Sequence, residues 1–433
     1  MTKLPLEGTR VLDMCPMLAG NFANAILADL GAQVIKVEST QYWQYGCRGT
    51  MARPSKALIQ QVRVGIGSYF QSDPGPDPWN RNSGFHAFSR NKLSVTVDLR
   101  KPSGVEVFKR LVKVSDVFIE SNSPPLVRRL GIDYPQLKEV NSALIMVRMP
   151  AFGLSGPYQD RPGMAQTLEA FSGHVLLRGY PDLDPSAPPA SITSDGVAGA
   201  GGALAALMAL NYRNCTGKGQ LVEMAQVENF MPLLGEFFMD YIFNKRLHPP
   251  MADRDSTAAP CGCYPCAGDD KWVNITVHND EEWEGLCRAL GKPEWTEDPE
   301  LATVVGRYRK QDQMDHGISE WSRSRDRYEI MHLLQDQGVP CGPVLSSGDT
   351  YQDPHFLARG FFQELNPSSV GPYLAPGIPW KMSKTPLHIR RPAPNLGQHN
   401  EYVYKELLGY TDGEYARLEA EGHIGTEPAP HVP

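Results

Sequence analysis

The 433-residue chain is 41% hydrophobic and 21% charged, an ordinary globular balance, and is long enough for two to three domains of roughly 150 residues each. Its 42 basic and 49 acidic residues leave a net charge of −7, so it offers no basic block to nucleic acid and no such partner is expected. No apolar run stands out as long enough to cross a bilayer and the first residues carry no signal-peptide pattern, so a cytoplasmic protein without a membrane partner is expected.

Thr9 to Met14 is an apolar, strand-like run. Leu18 to Leu30 follows with apolar residues at helical spacing, and Gly31 stands where a helix would stop. Val34 to Glu38 is a second short strand. A strand, a helix and a strand within about 30 residues predict a parallel pair. The turn between the first strand and the first helix is a natural ligand position, because helix amide groups point there. It holds one glycine, Gly20, and therefore no dinucleotide fingerprint. Residues 39–85 read as a long polar, proline-rich loop. Strands are predicted over 93–98, 116–120 and 143–148, with a helix from Pro102 towards Lys113, so the first 150 residues read as a doubly wound α/β unit. The run from Gly196 to Asn211 is small and apolar, and predicts a buried, closely packed helix despite its four glycines. Strand 221–224, helix 227–243, strand 271–277 and a capped helix over 279–290 complete the middle of the chain. The expected division is 1–225, 226–340 and 341–433. The tail from Gly425 is expected to fray.

The eight cysteines are expected to be reduced thiols. Cys261, Cys263 and Cys266 have a spacing that zinc or an iron–sulfur cluster can use. No second Cys or His pair follows to complete such a site, so a structural role without metal is the favoured reading.

Several stretches together resemble the class III CoA-transferases, the formyl-CoA transferase-like or CaiB/BaiF family. Leu6-Glu-Gly-Thr-Arg-Val-Leu-Asp13 with Leu27-Ala-Asp-Leu-Gly-Ala-Gln-Val-Ile-Lys-Val-Glu38 is similar to the family's opening. So are Asn91-Lys92 with Asp98-Leu-Arg-Lys-Pro-Ser-Gly104, and Asp116-Val-Phe-Ile-Glu120 with Arg129-Leu-Gly131. Phe152-Gly-Leu-Ser-Gly-Pro-Tyr158, Arg161-Pro-Gly163, Thr216-Gly-Lys-Gly-Gln220, Tyr264-Pro-Cys-Ala267 and Asp353-Pro-His-Phe-Leu-Ala-Arg-Gly360 continue the likeness in order along the chain. The resemblance implies an α/β fold: a large Rossmann-like domain built from both ends of the chain, a smaller middle domain, and two subunits interlocked as a ring-like dimer. It implies transfer of CoA from an acyl-CoA to a free organic acid, with CoA as substrate and no metal. In that chemistry an aspartate attacks the thioester, and the resulting anhydride becomes an aspartyl-CoA thioester. It also places Met17, Leu18 and Ala19 beside the adenine and pantetheine, Asn91 and Lys92 near the phosphates, and Arg129 at the nucleotide end.

One departure matters most. The family's aspartate stands two residues after Arg-Pro-Gly, and Arg161-Pro-Gly163 and Ser172-Gly173 fix that register from both sides. The position falls on Ala165, whose methyl group can neither attack nor carry CoA. The chain is therefore expected to be the aspartate-lacking subunit of a heterodimer or heterotetramer, beside a homologous subunit that keeps the aspartate. Heteromeric members such as benzylsuccinate CoA-transferase are built in this way. Glu169, four residues on, shares a helical face with residue 165 but lies about 6 Å further along, and is the alternative nucleophile of a self-sufficient homodimer. A non-enzymatic CoA-binding or interaction homologue is a third reading. Racemase chemistry, which in relatives uses an Asp/His pair, is disfavoured because no histidine falls between His86 and His174. Two further departures are Ser39, where relatives have a donor after the second strand, and Ser256 to Gly262, where they have a glycine-rich cover.

Overall fold

The computed structural model describes residues 3–61, 68–187 and 191–433. In chain order the first part runs β1 (Arg10–Met14), α1 (Leu18–Asp29), β2 (Gln33–Glu38), α2 (Lys56–Gln61), α3 (Ser83–Phe88), β3 (Lys92–Thr96), α4 (Pro102–Lys113), β4 (Val117–Glu120), α5 (Pro124–Leu130), α6 (Tyr134–Val140) and β5 (Ile145–Arg148). It continues with α7 (Ala165–Phe171), α8 (His174–Leu177), α9 (Thr193–Thr216), β6 (Gln220–Glu223), α10 (Gln226–Phe230) and α11 (Gly235–Asn244). The six strands form one sheet in the order β3-β2-β1-β4-β5-β6, and every pairing is parallel. This is the doubly wound α/β architecture expected from the alternation of strands and helices.

Both faces of the sheet are covered, which is why its central strands are apolar at successive positions. Leu12, Ile35, Phe118 and Met146 face one core with Val107, Phe108 and Leu111 of α4. Val11, Val34, Ile119 and Val147 face the other, with Ala19 and Ala23 of α1 and Ala198, Ala203 and Ala206 of α9. The small residues of α9 let it lie close to α1. A β-carbon on Gly199 would stand 2.5 Å from the ring of Phe22. The helix is not buried all round, as the sequence led one to expect: Leu204, Met208 and Tyr212 face outward. On length and composition alone α9 could also cross a membrane, a property the sequence reading missed. Packing of its glycine-alanine face on α1 accounts for much of that composition.

Three further expectations change. Residues 39–85 hold short helices as well as loop, and Arg48 organises them. Its buried guanidinium pairs with Glu38 at 2.6 Å and bonds the carbonyl groups of Trp79 and Pro394 at 3.1 Å. The predicted helix 227–243 is broken into α10, a tight turn at Met231–Leu234 and α11, because Pro232 has no N–H to continue the ladder. The C-terminal tail is tied down. Pro433 accepts from Ala52 N–H at 2.7 Å, Ala429 N–H donates to Thr40 at 2.7 Å, and Val432 is buried.

The chain divides into two compact units. One comprises 1–174, 190–245 and 358–433, and the other 175–189 and 246–357. The first boundary lies beyond the expected 225, since α10 packs on α9 and stays with the sheet, and the later one falls at 357 where 340 was expected. The second unit contains the antiparallel strands β7 (Cys261–Pro265), β8 (Trp272–Thr276) and β9 (Cys341–Val344), and the helix α12 (Asp280–Leu290). Asn279 caps α12 as predicted, accepting from Glu282 N–H at 2.9 Å. In the first unit the C-terminal stretch covers the β3 edge of the sheet. Asn400 accepts from Thr96 N–H at 2.8 Å, Tyr404 donates to Thr96 O at 2.9 Å, and His423 accepts from Asp98 N–H at 3.2 Å.

Candidate functional site

The strand order reverses between β1 and β4, and the ends of those two strands form the crevice where ligands of such sheets bind. A cavity of about 290 Å³ opens there. Met17, Leu18 and Ala19 line it from the loop after β1, and Ser121 from the end of β4. Gly163, Met164, Ala165 and Gln166 contribute from the entry to α7, Ile192 and Asp195 from the start of α9, and Gln226 from the start of α10.

The loop after β1 is held from inside the fold. Asn21 donates to the carbonyl groups of Cys15 and Met17 at 3.0 and 2.8 Å, and Lys36 donates to Cys15 O at 3.0 Å. Gly20 is required by close approach, since a β-carbon there would lie 2.3 Å from Cys15 Sγ. The Cys15 thiol is buried, and burial together with the negative charge of Asp13 pushes it well above the usual range. It therefore stays protonated and is no nucleophile.

Ala165 is the first residue of α7 and forms part of the cavity wall. Its carbonyl accepts from Ser194 Oγ at 3.4 Å, so the start of α9 is laced to the start of α7. Glu169 completes that lacing. Its carboxylate accepts from Ser194 N–H at 3.1 Å and meets His174 Nδ1 at 3.1 Å, with the side chain almost wholly enclosed. Burial works to raise its carboxyl, but the bonds from Ser194 and His174 outweigh it and hold the group below the usual range. Glu169 is not among the described residues that line the cavity.

Asp195 is the acid the cavity does contain, and sequence reasoning missed it. Burial, helped by the nearby negative charge of Glu169, pushes its carboxyl up to about 6 against the opposing bond from Ala19 N–H. The available signal was an acidic residue in the first turn of a helix, a common pattern that names no site. Among the described residues, the lining includes no Lys, Arg or His.

The other expected contacts fall elsewhere. Lys92 is fully buried, and its ammonium group donates to Asp13 at 2.9 Å and to Asn21 O at 3.1 Å. Asn91 is buried as well. It donates to Asp29 at 2.8 Å and accepts from the backbone N–H groups of Arg390 and Arg391 at 2.7 and 3.1 Å. Arg129 is exposed in the last turn of α5. None of the three lines the cavity, so the structure brings together Met17, Leu18, Ala19 and Ala165 only. Of the clustered cysteines, Cys261 and Cys263 alternate with buried Gly262 and Tyr264 along β7, and Cys266 lies beyond in the core. Among the described residues no group of His, Cys, Asp and Glu is arranged to hold a metal ion.

Comparison with known proteins bears on the same fold. The profile of CoA-transferase family III matches residues 6–400. A succinyl-CoA–D-citramalate CoA-transferase of Chloroflexus aurantiacus is 31% identical over 423 residues, 96% of this chain and 97% of the relative. The alpha subunit of a succinyl-CoA–L-malate CoA-transferase of that organism is 31% identical over 96% of this chain and 92% of its own length. The beta subunit is 30% identical over 97% and 98%. Among solved structures, a CaiB/BaiF family protein of Brucella suis aligns with a TM-score of 0.77 and 29% identity, covering 94% of this chain and all of that one. With its doubly wound sheet and a family profile that spans nearly the whole sequence, the chain belongs to CoA-transferase family III.

Proposed function

We propose that this chain is the supporting subunit of a heteromeric acyl-CoA:carboxylate CoA-transferase, in which a homologous sibling supplies the nucleophilic aspartate. One observation carries it: the wall of the crevice has the methyl group of Ala165 where the family's register calls for a carboxylate. Glu169 adds support, because an enclosed carboxylate already bonded to Ser194 and His174 is poorly free to attack a thioester. Such a reaction tolerates little misplacement. The likeness to both the alpha and the beta subunit of one malate CoA-transferase shows that the wider family includes heteromers. Outward-facing Leu204 and Met208 of α9 and Phe243 of α11 suit a further chain as cover, in the manner of an interlocked dimer.

In this assembly the sibling's aspartate performs the covalent steps in the cytoplasm. Here the loop at Met17, Leu18 and Ala19 takes the pantetheine arm of a CoA ester, and the thioester end reaches the cavity without covalent capture. Succinyl-CoA as donor and an aromatic or dicarboxylic acid as acceptor are carried over from the resemblance to heteromeric members.

Native mass spectrometry of the tagged protein from its own host tests the proposal. The expected result is a complex of this chain with a different chain of similar size that carries the aspartate. A homodimer that transfers CoA unaided would overturn it.

A further inference from the structure

Four helices begin at the cavity, and none has a side-chain cap: Met17 precedes α1, Met164 α7, Ile192 α9 and Ala225 α10. The two long ones, α1 and α9, bring the positive end of a helix dipole to the same space, which favours one negative charge there. In the empty cavity Asp195 supplies that charge. It lines the wall beside Ala165, and its carboxylate accepts from Ala19 N–H in the first turn of α1. The family's register brings the thioester to position 165, so the acyl group of a bound ester shares this space with Asp195. Resting on the reading of the crevice as a CoA-ester site, we propose that Asp195 is the receptor for the terminal carboxylate of a dicarboxylic acyl group such as succinyl. When that carboxylate enters, it takes over the negative charge of the cavity, and Asp195 binds one proton from solvent and donates it to the ligand as a hydrogen bond.

Charge balance favours this exchange. Two ionised carboxylates in one half-buried site repel each other at reduced dielectric, and the described lining includes no cation to stand between them. One proton held between the pair removes the repulsion and leaves a charge-assisted O–H···O bond. The cavity then keeps the single negative charge that the helix ends favour. Of the two acids, Asp195 is the one to hold the proton. Burial and the negative charge of Glu169 push its carboxyl up to about 6, whereas an alkyl carboxylic acid such as the succinyl end titrates at about 4.3, as glutamate does. Neutral donors are available for the ligand's remaining lone pairs. Ser121 Oγ lies near Cys15 Sγ but makes no hydrogen bond to a described residue, and the Gln166 amide lines the same wall. Gln226 is already engaged, through a 2.7 Å bond from its amide to Met149 O.

The other charged groups around the cavity stay outside its lining. On α7 Glu169 is paired with His174, and before α7 Arg161 is exposed. On α10 Glu228 is exposed, and on α1 Asp29 lies at the far end of the helix, paired with Arg90. On β1 Asp13 is enclosed with Lys36 and Lys92. Arg148 of β5 is committed to Glu120 of β4 and to Asp133 at 2.6 and 2.8 Å. On β6, Glu223 accepts from Leu154 N–H at 2.5 Å. Above about pH 6 the empty cavity holds Asp195 ionised. Succinyl-CoA must then bring a proton with it, and its affinity falls as pH rises. At pH 5.5 Asp195 is already mostly neutral, and that cost is gone.

Isothermal titration calorimetry of the full chain with succinyl-CoA and with butyryl-CoA, at pH 7 in buffers of differing ionisation heat, counts the protons taken up. The two esters carry the same CoA, so titration of its phosphates cancels in the difference. Succinyl-CoA is expected to take up about one proton more than butyryl-CoA. In Asp195→Asn, whose amide donates without titrating, the difference should vanish. The affinity for succinyl-CoA relative to butyryl-CoA is expected to drop by about tenfold from pH 6 to pH 8 in the native chain, and to stay level in the variant. Equal proton counts for the two esters, or a difference that survives the substitution, would overturn the role of Asp195 while leaving the CoA site standing. Failure of the native chain to bind either ester would overturn the reading of the crevice itself. The proton count in the native chain decides between these outcomes even if the variant folds poorly.

Discussion

At the scale of single residues, the site turns on two positions that face the same space. Ala165 is chemically silent, and Asp195 supplies the charge. If 165 is the place from which the family attacks, restoring its carboxylate should restore the first half of the reaction. Ala165→Asp incubated with butyryl-CoA is expected to release butyrate and retain CoA as an aspartyl thioester. The adduct would be read as added mass on the intact chain, removed by hydroxylamine. The native chain should gain none. A native chain that labels at Glu169 would instead restore the self-sufficient homodimer. Why Ala165 was legible and Asp195 was not has a physical cause. Ala165 sits inside a short run whose register is fixed on both sides. Asp195 owes its environment to Glu169, and Ser194, which links them, is 25 positions from Glu169 in the chain. Only the packing of α9 on α7 reveals it.

At the scale of elements, the crevice rests on a buried ionic tie across three neighbouring strands. Asp13 of β1 meets Lys92 of β3 at 2.9 Å and Lys36 of β2 at 3.8 Å, and all three side chains are fully enclosed. Burial works to raise the Asp13 carboxyl, but the two ammonium groups outweigh it and hold it below its usual range. Lys92→Met is therefore expected to destabilise the protein, by up to about 3–5 kcal/mol where the buried acid is left poorly compensated. Urea-unfolding midpoints would measure it. If Lys92 met the phosphates of CoA instead, stability would hold and acyl-CoA affinity alone would fall. Alternation and spacing made β1, α1 and β2 readable, because each is local. They could not reveal the partner of Lys92, which lies 79 positions away, nor the break at Pro232 in a stretch that otherwise reads as helix. The six-residue helices α2 and α3 are too short to display a period.

At the scale of the molecule, the sheet unit presents large apolar side chains that are exposed among the described residues. Phe243, Leu204 and Met208 are each more than half exposed, and large apolar side chains left in the open suit an interface. Phe243→Asp is expected to shift the native assembly towards single chains, as read by light scattering after size exclusion. Its unfolding midpoint should change by no more than about 0.5 kcal/mol, because the side chain is on the surface. Retention of the full assembly would move the interface elsewhere. The parallel sheet and the family were both legible in the sequence, the second through many weak motifs kept in order. The exposed faces were not, since a helix rich in alanine and glycine reads alike whether one side or both are covered.

The covering of the β3 edge has a consequence for how the protein comes into being. A ribosome delivers β1, β2 and β3 early, but the groups that cap them arrive with Asn400, Tyr404 and His423, and the knot at Ala52 closes on Pro433 itself. Until those residues have been made, the nascent sheet carries an open edge with unpaired backbone groups, a form prone to pairing with other chains. Most of the second unit, by contrast, is the single uninterrupted run 246–357, available for folding while the tail is still being made. Synthesis order thus makes residues 400–433 the closing step for the strands β1 to β3.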